Sequence, residues 1–390
     1  MGVALLALLL LASARGETFL PADDALVRWS GRTVEGIAPG SVRFDWLGVS
    51  ARVSVKDATW VTVIATTTAP TTGTRMRAYT SDQGFGLYPL VSFWVSPHAA
   101  NETLIFAVDN SSYGRTLTLE NMLENPDATT IHGFRTDGSF VPELHPLPPN
   151  RNIEFIGDSI TAASNLVRPA GAPPCRGGQF QMDWTQSYAA LLCHRFGASC
   201  STIAVGGKCM MKECGGLQMP DYYNSALISD APRDTYKFGA NGWVPQAVFI
   251  DLGTNDERVI HSMKKQHPNG STVFVRETVA FLHSIRTRYS GGKEPWANIS
   301  FFLAAGPIRN FTARASRAVP LAVDQAISEG LDATFVDLTG ACSIARQHAP
   351  DNVDQCDGCS AHPGIEGHFE MAQLAHPVLA AKMNWSDVVP

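Results

Sequence analysis

Ser159, His362, Gly207 and Asn255 have the types and settings that nucleophilic chemistry needs in this 390-residue chain. A serine hydroxyl attacks poorly until a base takes its proton, and histidine titrates close enough to neutrality to serve. The charge that then develops on a carbonyl oxygen needs hydrogen-bond donors, which a backbone N–H and a side-chain amide supply. Ser159 stands in Phe155-Ile156-Gly157-Asp158-Ser159-Ile160-Thr161, directly after an apolar run. Gly157 lets the backbone pass close to a ligand, and a helical turn starting here would offer free N–H groups to an anion. Gly-Asp-Ser alone is also an ordinary turn tripeptide. Gly207 ends Ala204-Val205-Gly206-Gly207, Asn255 lies in Asp251-Leu252-Gly253-Thr254-Asn255-Asp256, and His362 lies in Ser360-Ala361-His362-Pro363.

The elements that must position these residues change character along the chain. From about residue 26 to 141 apolar residues alternate with period two, as in Val42, Phe44, Trp46, then Ala51, Val53, Val55, then Val61, Val63, Ala65. Such short strands, separated by turn signals and by no helical stretch, predict an all-β sandwich. Residues 142–150 hold Pro142, Pro146, Pro148 and Pro149 and read as a stiff linker. Over 151–390 short apolar runs (Ile153 to Ile156, Thr202 to Val205, Ala247 to Leu252, Ile299 to Ala304, Thr334 to Leu338) alternate with helical patterns near Thr185 to Phe196, Val273 to Arg288, Ala313 to Leu331 and Gly364 to Met383. That alternation predicts an α/β unit with a parallel sheet flanked by helices, with ligands at the carboxyl ends of the strands. Ser159, Gly207 and Asn255 follow such ends, and His362 precedes the last helix.

Thirty Lys and Arg against 36 Asp and Glu give a net charge of −6, and no basic run is present, which argues against nucleic acid as a partner. Residues 1–14 are an apolar run closing on Ala12-Ser13-Ala14, so residues 1–16 read as a secretory signal peptide. The run is too short to span a bilayer, and no stable membrane insertion is expected. Eight cysteines, all after residue 150, and sequons at Asn101, Asn110, Asn269, Asn298, Asn310 and Asn384 suit a disulfide-bonded, glycosylated, extracellular protein. Cys356, Cys359 and His362 have the spacing of a metal knuckle, but an oxidising compartment favours a disulfide there and leaves the histidine free.

The four blocks, in this order, resemble the GDSL or SGNH hydrolases over roughly residues 151–383. The resemblance implies a flavodoxin-like domain, Ser159 as nucleophile, His362 as base, and an oxyanion hole of the Ser159 and Gly207 N–H groups and the Asn255 amide, with no cofactor or metal. Gly31-Arg32 followed by Phe44-Asp45-Trp46-Leu47-Gly48 is similar to the jelly-roll domain that opens the second family of carbohydrate esterases, which remove O-acetyl groups from plant polysaccharides. An acetylated carbohydrate is then the expected substrate, and the protein is expected to be a monomer.

One position departs from the family. Relatives carry an Asp three or two residues before the His, where this chain has Cys359 and Ser360. Asp354 and Asp357 are candidates to orient His362; a backbone carbonyl is the favoured alternative, because Gly358 follows Asp357. Trp184 and Tyr188 read either as sugar-stacking aromatics or as core, and His368 and Asp256 as structural. A lipid or phospholipid esterase is the second functional reading, and a glycan-binding protein without activity the third. The loop from Ala162 to Asp183, rich in Gly, Pro and polar residues, argues against a long acyl groove.

Overall fold

The period-two alternation of the first half becomes two antiparallel sheets. In the computed structural model the described residues are 16–68, 73–81, 88–95, 101–107, 114–124, 127–166, 181–239, 242–266, 268–307, 315–342, 358–359 and 362–388. The signal-peptide reading, Cys175, Cys356, Asp354 and Asp357 fall outside them, residue 16 apart. The first strands are β1 (Thr18–Pro21), β2 (Arg28–Ser30), β3 (Val34–Glu35), β4 (Val42–Phe44), β5 (Ser50–Lys56), β6 (Trp60–Thr67), β7 (Thr74–Ser81), β8 (Tyr88–Val95), β9 (Asn101–Ala107), β10 (Arg115–Asn121), β11 (Thr129–Thr136) and β12 (Ser139–Val141). One sheet runs β3-β4-β11-β6-β9 with β1 on β11, the other β12-β5-β10-β7-β8 with β2 on β5. Val61, Val63 and Ala65 of β6 are buried while the residues between them are partly exposed, as a pleated strand with one inward face requires. This is the expected β-sandwich.

The second half is the expected flavodoxin-like sheet. Its strands β13 (Asn152–Gly157), β14 (Ser199–Ala204), β15 (Ala247–Asp251), β16 (Ser300–Ala305) and β17 (Asp332–Asp337) are all parallel, in the order β14-β13-β15-β16-β17. Numbered within this half the order is 2-1-3-4-5, which places a topological switch point beside β13. Strands covered on both faces read as unbroken apolar runs, and every residue of β15 is buried. Phe155, Phe249 and Phe302 from adjacent strands form a ladder with centroids 5.6 and 6.5 Å apart, and Tyr188 joins it 5.5 Å from Phe249.

The helices are α1 (Tyr188–Phe196), α2 (Met219–Tyr222), α3 (Glu257–Ser262), α4 (Gly270–Tyr289), α5 (Ala315–Ser328) and α6 (Ile365–Met383). Helix α1 begins where the Ser187 hydroxyl accepts the Ala190 N–H at 3.0 Å and ends on Gly197 in the left-handed region at φ 58°. In α4 the stripe Val275, Val279, Leu282 and Ile285 is buried, as its spacing predicts. Cys193–Cys200 joins the end of α1 to β14, and Cys209–Cys214 closes the loop after Gly207. The chain forms two compact units: residues up to Asp45, Val49–Asn121 and Asn125–Pro146 make up the first, and Trp46–Gly48, Met122–Glu124 and Leu147–Pro390 the second. No helix among the described residues is long and apolar enough to cross a membrane.

Candidate active site

The strand-end positions of the second unit converge as the topology requires. Ser159 follows β13, and its Oγ lies 2.8 Å from Nε2 of His362, which arrives from the segment before α6, 203 residues away in the chain. Gly157 is needed for this turn: a Cβ there would stand 2.0 Å from Thr161 Oγ1, because the chain folds back over the strand end. The turn is held by the Asp158 carboxylate, which accepts the Ile160 N–H at 2.9 Å, and by the Ala162 N–H donating to the Asp158 carbonyl at 3.0 Å.

Gly207 sits after β14 with φ 75°, a conformation that favours glycine, and faces open space. The Asn255 amide is committed elsewhere. Its Nδ2 donates to Asp158 Oδ2 at 2.9 Å and to the Lys208 carbonyl at 3.0 Å, which uses both amide protons. Serving an oxyanion from Asn255 therefore requires sharing one of those bonds. In this arrangement Asn255 braces two loops around the cleft, a role that its position in the sequence does not reveal.

Buried acids surround the site. Burial pushes Asp158 up to about 7, against the pull of the Ile160 N–H and with help from Asp256 and Glu124. Asp256 is pushed up to about 6 by burial, against the Met210 and Met211 N–H groups that it accepts at 3.0 and 2.7 Å. It therefore braces its loops, as expected. Asp251 is raised well above the ordinary range by burial and by Asp158. His368 is fully buried, stacks on Tyr188 and takes the Tyr188 N–H at 3.3 Å; burial, then His362, lowers it to about 3.

Two readings that the sequence left open are decided. Trp184 and Tyr188 are buried, with Tyr188 Oη 2.8 Å from Thr161 Oγ1, so both belong to the core and neither offers a face to a sugar. Cys359 is disulfide-bonded, as favoured over the metal knuckle, and cannot serve as a thiolate ligand beside His362.

Two residues escaped the sequence reading. Asn165, in the left-handed region at φ 59°, brings its amide Nδ2 to 3.5 Å from His362 Nδ1, and its backbone carbonyl accepts the Cys359 N–H at 2.8 Å. The amide's nitrogen and oxygen exchange by a half-turn; with oxygen toward the ring it accepts the Nδ1 proton and leaves Nε2 bare for Ser159. Glu124 accepts the Gly206 N–H at 2.8 Å, and burial raises its carboxyl against the pull of Gly206 and Lys208. Neither lies in a motif, so spacing carried no signal. Off Gly207 and Asn255 opens a groove of about 1010 Å³ whose other walls include Lys208, Glu213, Gln218 and Arg258.

A serine hydroxyl and an imidazole in contact at the carboxyl end of a doubly wound sheet have the geometry of a nucleophile and its base. Residues 155–368 match the GDSL-like lipase/acylhydrolase family, and the chain belongs to that family of ester hydrolases. The chain is 34% identical over 169 residues to the cellulase/esterase CelE of Acetivibrio thermocellus, a match covering 42% of this chain and 18% of that protein. Among solved structures it is similar to an acetyl xylan esterase of Butyrivibrio proteoclasticus, with TM-score 0.75 and 16% identity over 95% of this chain and 100% of that one. It is similar also to a family two carbohydrate esterase of Cellvibrio japonicus, with TM-score 0.71 and 19% identity over 95% and 99%. A third, the Clostridium thermocellum family two carbohydrate esterase in complex with cellohexaose, gives TM-score 0.71 and 22% identity over 92% and 99%. These likenesses extend the shared fold to both units.

Proposed function

We propose that this chain is a secreted serine esterase that removes O-acetyl groups from a polysaccharide or oligosaccharide. The observation that carries this is the Ser159–His362 pair, in contact at 2.8 Å beside a groove walled by Lys208, Glu213, Gln218 and Arg258. The charged and amide walls of that groove offer hydrogen-bond partners to a hydroxylated alcohol. The structural relatives that act on acetyl xylan or hold cellohexaose support the same class of substrate. A contact of nucleophile and base argues against an inactive glycan-binding protein.

In this reading His362 Nε2 takes the Ser159 proton as Oγ forms a bond to the acetyl carbon. The carbonyl electron pair moves to oxygen, where the Ser159 and Gly207 N–H groups receive it. Collapse breaks the bond to the sugar oxygen, which leaves with the proton from His362. Water, deprotonated by the same histidine, then releases acetate and restores Ser159. Support for secretion comes from the apolar run over residues 1–14 and the pairs Cys193–Cys200 and Cys209–Cys214.

Rates on p-nitrophenyl acetate, butyrate and palmitate, set beside acetate release from acetylated xylan and glucomannan, test the proposal. Acetyl preference with release from polysaccharide is expected. A preference for palmitate would favour the lipid reading instead. For secretion, the protein harvested from medium should begin near residue 17; retention in cells with Met1 intact would contradict it.

A further inference from the structure

The loop that presents Gly207 is tied down by a residue from far outside the four blocks. Glu124 belongs to Met122–Glu124, which follows β10 in the chain yet clusters with the second unit. The Glu124 N–H donates to Met182 Sδ at 3.0 Å, which fixes the segment, and Glu124 Oε2 accepts the Gly206 N–H at 2.8 Å. A Cβ on Gly206 would lie 3.4 Å from Glu124 Oε2 and 3.8 Å from Ser159 Cβ, so the carboxyl and the serine flank one small space. Gly206 and Gly207 form a pair without side chains, and an unrestrained glycine pair samples many backbone orientations. The amide next after the one that Glu124 holds is the Gly207 N–H. Its aim depends on where the Gly206 peptide is fixed, because consecutive peptide planes share one Cα. The turn itself is loosely closed, with the Lys208 N–H 3.4 Å from the Val205 carbonyl, so the Glu124 bond is its firmer restraint.

We infer that Glu124 is a positioning residue, which aims the Gly207 N–H at the oxyanion by holding the preceding amide. The inference rests on the proposed roles of Ser159 and Gly207. It predicts an effect on the transition state with little effect on binding, because the ground-state carbonyl makes weaker use of the hole. It also predicts that an acceptor is what matters, so glutamine, whose amide oxygen can take the Gly206 N–H, should substitute.

The test measures kcat and KM on p-nitrophenyl acetate for Glu124→Ala, Glu124→Gln and Ser159→Ala, with a thermal melt of each. Loss of an oxyanion donor costs about 10²- to 10³-fold, and a misaimed one less, so Glu124→Ala should lower kcat by about 10- to 100-fold with KM within about twofold. Glu124→Gln should stay within about threefold of the parent. A kcat for Glu124→Ala within about twofold of the parent, or an equal loss in both variants, overturns the inference. Should Glu124→Ala lose its cooperative melt, Glu124→Gln decides alone, and a loss beyond about threefold overturns it. An active Ser159→Ala would instead overturn the nucleophile assignment, whereas an inactive Ser159→Ala beside an unimpaired Glu124→Ala removes only the role of Glu124.

Discussion

His362 can act as a base only if its Nδ1 carries the proton, and the Asn165 amide lies 3.5 Å from that atom. An amide oxygen can hold the tautomer but carries no charge to steady an imidazolium. Asn165→Asp should therefore retain activity within about threefold and move the acid limb of the pH–rate profile upward, because a carboxylate raises the imidazole pKa. Asn165→Ala should lose about tenfold in kcat, roughly 1.4 kcal/mol of barrier. Profiles of kcat/KM against pH for both variants decide this, and an unshifted acid limb in Asn165→Asp would show that the side chain does not address the ring. The expectation that Asp354 and Asp357 are dispensable predicts activity within about tenfold for each Asn variant.

At the scale of elements, the loops after β14 and β15 act as one wall because Asp256 joins them. Asp256→Ala strands two N–H groups, on Met210 and Met211, both of them buried residues. Removing an acceptor from buried donors should destabilise the protein by about 2 to 5 kcal/mol, read from urea unfolding, and a loss under about 1 kcal/mol would mean that water replaces the carboxylate. The same scale explains what the sequence disclosed. The five parallel strands and α1, α4, α5 and α6 lie within a few residues of their predicted spans, since each buries an unbroken run or a regular stripe. Strand β11 was not singled out: Thr129–Thr136 carries Thr, His and Arg, and a register shift between Ile131 and Gly133 breaks its alternation. The places of Ser159, Gly207 and Asn255 were legible because each follows a strand end, which pattern can locate, and that of His362 because it precedes the last helix. Asn165 and Glu124 were not, since their roles depend on non-local contacts to which no local period points. Trp184 and Tyr188 were ambiguous because large aromatics serve cores and sugar sites alike.

Over the whole molecule, buried titratable groups tie stability to pH. His368 lies neutral in the core with its pKa lowered to about 3 from 6.5. The unfolded chain takes up this proton below about 6.5 while the folded chain refuses it until about 3, so the contribution present at neutral pH is lost as pH falls through that window. Glutamine at 368 can still accept the Tyr188 N–H but does not titrate. The melting temperature of His368→Gln relative to the parent should therefore rise steadily from pH 6.5 toward pH 4, whereas a constant difference would contradict the burial of a neutral imidazole. Asp158, raised to about 7, acts in the opposite sense: its contribution is complete below about 4 and lost as pH rises toward 7.

The central claim is that the acetyl group passes through Ser159, and the most direct measurement is the mass of the protein caught in the act. Mixing the enzyme with p-nitrophenyl acetate, quenching in acid within the first turnover and digesting for mass spectrometry should give one acetyl mass on the peptide that contains Ser159. In Ser159→Ala the adduct and the turnover should both vanish. An acetyl group found only on another residue, or hydrolysis by Ser159→Ala at the parent rate, would contradict the account.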